Sequence, residues 1–143
     1  MAIEAELLTQ NNSRSDQILQ ELKLQSYQRI DKIFGYLLVL EWLAGIVVAL
    51  FVSPLTYVGR QSSVHLHLVT AIVLGGLIIS RPLWLIIKEP GKTQTRQTIA
   101  LAQMLYSALL IHLTGGRVET HFHIFGSLAF LSFYRDWRVL ITA

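Results

Sequence analysis

Polar and apolar positions along this chain fall into long blocks. After a polar, mixed-charge lead-in over residues 1–32, four apolar runs follow at about 33–52, 64–87, 98–114 and 121–134. A helix crossing the hydrocarbon of a bilayer needs roughly 20 residues, within a range of about 17–25. The first two runs meet that length and the third just does. The fourth spans roughly 21 Å at 1.5 Å per residue, and leans on Tyr134 and Trp137 as an interfacial anchor. The pattern predicts an all-α membrane protein with four transmembrane helices in a bundle, preceded by a cytoplasmic amphipathic helix. Residues 1–32 then form an N-terminal segment and residues 33–143 a four-span domain. Within the lead-in, Asn11-Asn12-Ser13 reads as a break, and Ser13 or Ser15 as the cap of a helix beginning near Asp16. Ile18, Leu19, Leu22, Ile30 and Ile33 give it a loose apolar stripe that rests on headgroups or runs on into the first span. A dimerising coiled coil, and with it a homodimer, is the alternative.

Composition agrees with lipid as the solvent. The chain is 52% hydrophobic and only 15% charged, where a soluble domain carries about 25% charged residues. The net charge of +3 does not imply nucleic acid, because the basic residues sit singly at the ends of apolar runs. Their distribution sets the orientation. Arg14, Lys23, Arg29 and Lys32 precede the first run, Arg81, Lys88, Lys92 and Arg96 surround the connection between the second and third, and Arg135 and Arg138 follow the fourth. Only Arg60 and Arg117 fall on the opposite side. The positive-inside bias therefore predicts both chain ends in the cytoplasm, with residues 53–63 and 115–120 as outer loops. Residues Met1 to Leu24 hold no apolar core of signal-peptide length, and the absence of cysteine excludes disulfides and thiolate ligands.

On that topology every histidine falls near the outer interface: His65 and His67, His112, and His121 and His123. Three or four of these imidazoles would suit Cu, Zn or Fe, and Glu119 would add a carboxylate or orient a ring. Proton sensing and inert interfacial histidines are the competing readings. Bis-histidine haem ligation between the second and fourth spans is a further alternative, given clearance at Gly75-Gly76 and Gly126, although such glycines also serve close helix packing. Glu41 lies eight residues into the first span, where a carboxylate is costly. It is expected to face the bundle interior, nearer the cytoplasmic side and away from the histidines, either protonated or bonded to Gln103, Tyr106 or Ser107, as a proton relay, a polar signalling switch or simply a hydrogen bond between helices. Gly115-Gly116 reads as a left-handed cap, Ala44-Gly45 and Ala49 as a close-packing face, and Arg135-Asp136-Trp137-Arg138 as an interface anchor with an internal ion pair.

The stretch from Ala102 to Arg138, with its core Gly115-Gly116-Arg117-Val118-Glu119-Thr120-His121-Phe122-His123, resembles the N-terminal multi-span sensor module of bacterial sensor and hybrid histidine kinases. Related modules precede chemoreceptor and diguanylate cyclase outputs. Arg29-Ile30-Asp31, Trp42-Leu43-Ala44-Gly45, Ser53-Pro54 and Val64-His65-Leu66-His67 fit the same module, so the resemblance covers roughly residues 29–143. It implies a non-enzymatic signal-input module in a bacterial cytoplasmic membrane, with a sensing role for the five histidines and Glu119. Residues 1–143 contain no phosphoacceptor segment, ATP-binding domain or cyclase motif, so the expected partner is a cytoplasmic transmitter domain or a larger membrane complex. The alternative expectation is an accessory subunit of a respiratory or photosynthetic complex, holding haem or pigment through its histidines.

Overall fold

The computed structural model describes residues 2–52, 55–58, 61–64 and 66–143, with side chains described at residue 10 and over 12–51 and 68–143. The described residues are helical apart from a short ribbon and the turns between helices. Helix α1 (Ala2–Val52) leads into strands β1 (Leu55–Val58) and β2 (Gln61–Val64), then α2 (Leu66–Lys88), α3 (Thr93–Leu113), α4 (Val118–Leu131), a 3-10 turn (Ser132–Tyr134) and α5 (Trp137–Thr142). The two strands pair antiparallel, Leu55 opposite Val64 and Val58 opposite Gln61.

The expected break at residues 11–13 does not occur, and α1 runs unbroken through it. Ser13 donates its hydroxyl to the Gln10 carbonyl at 2.8 Å. Such back-bonding lets a serine sit inside a helix rather than cap one.

Short connections make neighbours antiparallel. The turn between α2 and α3 passes through Gly91 at φ 86°, and α3 ends at Gly115 and Gly116, with φ of 70° and 78°. The Gly116 N–H closes on the Ile111 carbonyl at 2.8 Å and the Gly115 N–H on His112 at 3.2 Å. This left-handed cap satisfies carbonyls the helix leaves open.

Two apolar clusters hold the bundle. One gathers Leu38, Ala71, Ile79, Tyr106 and Leu109; the other, toward the opposite end, gathers Phe34, Ile99, Leu131, Tyr134 and Val139. Close approach is built in at glycines. A Cβ on Gly45 would stand 2.0 Å from the Tyr106 hydroxyl oxygen, and one on Gly75 would stand 2.8 Å from the Trp42 ring. Trp42 also donates its indole N–H to the Ala71 carbonyl at 3.2 Å, tying α1 to α2.

The outward surface is apolar. Ile33, Leu40, Val47 and Phe51 of α1, Val73, Leu77 and Ile87 of α2, and Phe122, Phe125 and Phe133 near the chain's end all lie exposed. Two helical stretches, Asn12–Phe51 and Leu68–Lys88, are long and apolar enough to cross a membrane.

Candidate functional site: a buried polar cluster across three helices

Glu41 of α1, Gln103 and Ser107 of α3, and His123 and Ser127 of α4 meet inside the bundle. Gln103 and Ser107 are four residues apart, as are His123 and Ser127, so each pair lies on one helix face. The Gln103 amide donates to Glu41 Oε1 at 2.5 Å and to Ser127 Oγ at 3.2 Å. His123 Nε2 stands 3.3 Å from the same Glu41 oxygen. On the other side of the ring, Nδ1 is 2.8 Å from Ser107 Oγ and 3.3 Å from Ser127 Oγ. The Tyr106 hydroxyl donates to the Glu41 main-chain carbonyl at 2.5 Å. The Glu41 side chain is 11% exposed and that of His123 26%, so the pair is screened from solvent without being sealed.

Proton counting constrains this cluster. Ser107 has one hydroxyl proton, and its Oγ reaches the Gln103 carbonyl at 2.9 Å. With that proton given to the carbonyl, His123 Nδ1 must carry a hydrogen and donate to the serine oxygen. His123 Nε2 then stands at ion-pair distance from Glu41 Oε1, imidazolium against carboxylate when the ring carries both protons. Glu41 Oε2 and Gln103 Oε1 are buried without a hydrogen-bond partner. Both are hydrogen-bond acceptors.

The expected contacts of Glu41 with Gln103 and Tyr106 are present. Its expected separation from the histidines is not: His123 lies directly against it. Nor do the described histidines share a level. Gln103 marks the height of Glu41, and His112, nine residues further along α3, stands roughly 13 Å higher at 1.5 Å per residue. His112 and His121 are both exposed, and His121 Nδ1 turns to the Arg117 carbonyl at 3.0 Å. Glu119 is exposed in the first turn of α4, where its charge favours the helix dipole. Among the described residues, no three His, Asp or Glu side chains gather as a metal would require. His65 and His67 lie outside the residues whose side chains are described. The clearance considered for haem is already used at Gly75 and Gly76, which face the Trp42 indole, while a Cβ on Gly126 would meet open space.

A second polar network, unanticipated, closes the opposite end of the bundle. Asp31 accepts the Gly91 N–H at 2.6 Å and the Tyr134 hydroxyl at 2.7 Å. Arg96 bonds Asp136 at 3.2 Å and lies 3.8 Å over the Tyr27 ring. Asp136 also caps α5 by accepting the Arg138 N–H at 3.1 Å, so the ion pair expected within residues 135–138 is instead a long-range one to α3. Burial pushes the Asp31 carboxyl above its ordinary range, outweighing the lowering pull of Tyr134, Gly91 and the Arg96 guanidinium. The one sequence hint was an acid immediately before an apolar run.

No family model, curated protein or solved structure matches this chain.

Proposed function

We propose that this chain is the signal-input module of a bacterial membrane signalling system, in which the Glu41–His123 pair registers protons within the bundle. The observation that carries the reading is the 3.3 Å contact between His123 Nε2 and Glu41 Oε1, which sets a titratable ring of α4 against a carboxylate of α1. With the ring protonated the contact is an ion pair between imidazolium and carboxylate. With Nε2 unprotonated the carboxylate faces a lone pair and that attraction is lost. Gain or loss of this proton therefore alters the force between two helices. A stimulus shifts such a bundle only insofar as it favours one packing over another.

The membrane setting is supported by the two long apolar helices and the apolar exterior. A four-span arrangement with both ends on the cytoplasmic side fits the placement of the basic residues. The resemblance of residues 29–143 to kinase sensor modules supports the signalling role, with a transmitter domain or larger complex as the partner.

The test is the protein reconstituted in lipid vesicles, with His123 ring nitrogens followed by NMR and Trp42 emission recorded in a Trp84→Phe, Trp137→Phe background as pH is stepped from 8 to 5. The expected result is a His123 titration accompanied by a Trp42 change, with the emission change lost in both Glu41→Gln and His123→Gln. An emission change that persists in both variants would overturn proton sensing by this pair.

A further inference from the structure

Near the Asp31 end of the bundle, α1 and the end of α4 form the two walls of a cleft of about 740 Å³. That size falls within the roughly 300–1,000 Å³ typical of small-molecule sites. Its walls are apolar, with Ile30 and Phe34 on α1 facing Phe130 and Phe133, and Lys23 and Arg135 supply cations. No Asp or Glu is among its lining residues. The apolar wall continues onto the outer surface, where Ile33, Phe130 and Phe133 are exposed.

Arg135 occupies an unusual backbone position. Its φ of 50° is left-handed, and among the described residues it is the sole non-glycine with positive φ. Any residue bearing a Cβ is costly there, and glycine is not. An arginine held in that conformation points to a use for its side chain.

We infer that this cleft binds one anionic phospholipid, its acyl chains along the phenylalanine wall and its phosphate held by Arg135 and Lys23. The inference rests on the membrane setting proposed above, though not on proton sensing. Charge complementarity selects the headgroup, since two cations without an acid favour a phosphate over a zwitterion, and arginine matches phosphate geometry. Apolar continuity with the outer surface selects a lipid over a soluble anion, because acyl chains can enter from the side.

The experiment is thermal unfolding of the full chain in neutral detergent with added phosphatidylglycerol, phosphatidylcholine or inorganic phosphate, for the wild type, Arg135→Gly and Lys23→Gln. Phosphatidylglycerol is expected to raise the melting temperature, and the other two additives are not. Arg135→Gly should melt at or above the wild type without lipid, because the strained residue is relieved, and yet lose about fivefold in phosphatidylglycerol affinity. Lys23→Gln should lose a similar factor. Equal shifts with both lipids, the full shift with phosphate alone, or an undiminished response in Arg135→Gly would each overturn the site. Release of the protein from membranes by alkaline carbonate would instead overturn the membrane setting, whatever the outcome in detergent.

Discussion

The His123 ring meets the Glu41 carboxylate at 3.3 Å because a second contact fixes the register of their helices. Ten residues before Glu41, Asp31 accepts the hydroxyl of Tyr134, eleven residues after His123. The two segments run antiparallel, so ten residues along α1 and eleven along α4 and the 3-10 turn that follows it carry one contact into the other. The lock between Asp31 and Tyr134 therefore sets the height at which His123 enters the bundle.

Coupling between these two side chains is expected to be measurable. In a double-mutant cycle of Glu41→Gln and His123→Gln, unfolding should reveal an interaction of about 0.5–3 kcal/mol, the range for residues in direct contact. His123→Ala alone should cost about 1–3 kcal/mol by leaving buried partners unsatisfied. Strict additivity of the two glutamine variants would mean that the contact contributes nothing to stability.

Gly45 and Gly126 should respond oppositely to alanine. At Gly45 the new methyl collides with the end of a fully buried tyrosine, and an overpacking cost of about 1–3 kcal/mol is expected. At Gly126 the methyl enters open space, and removing a helical glycine should stabilise by up to about 1 kcal/mol. Melting temperatures of the two variants check both signs.

Arg96 is expected to be the most sensitive position in the second network. It is 6% exposed and pairs with Asp136 while neighbouring Asp31, so Arg96→Ala strands buried charge and should cost about 3–5 kcal/mol. Arg96→Lys should restore little, because lysine lacks the planar fork that reaches Asp136 and covers Tyr27. Chemical denaturation of both variants decides the matter.

The raised proton affinity of Asp31 has a definite sign. A carboxyl that holds its proton more tightly when folded contributes stability that is complete below its ordinary value of 3.8. That contribution is lost as pH rises through the higher folded value. Asp31→Asn carries no titrating group, and its Oδ1 can still accept the Gly91 N–H. Its stability should thus fall less than that of the wild type as the acid range is crossed upward. A steeper fall in the variant would reverse the assignment.

Metal binding by the three described histidines is not expected on its own. With His65 and His67 both changed to alanine, added Zn²⁺ should leave the melting temperature unchanged, since His112 stands well above His123. A zinc-dependent rise in that variant would show that these rings converge.

The helices themselves were legible in the sequence, because apolar runs bounded by charge and glycine mark their ends. Helix α2, expected from residue 64, begins at Leu66, and the cap at Gly115-Gly116 forms as expected. The partner Gln103 of the Glu41 carboxylate was also legible, since a buried carboxylate demands donors and α3 offered few, whereas Tyr106 bonds the Glu41 main chain instead. The relative height of α4 was not. Counting from the polar loop put His123 at the outer rim, whereas its depth is decided by Tyr134 and Asp31, a contact across most of the chain. Likewise Arg96 read as one more positive charge by the inner loop, because nothing local distinguishes a solvated arginine from one enclosed by Asp136 and Tyr27.

Helix α1 is continuous over its 51 residues. From Glu41 back to Ala2 it extends roughly 58 Å at 1.5 Å per residue, and its residues 12–26 are exposed. Such a rod transmits torque: a small turn about its axis at the polar cluster reappears, undiminished by any flexible joint, at its far end. On the proposed reading, a change of protonation at the polar cluster is carried to that end along one continuous helix.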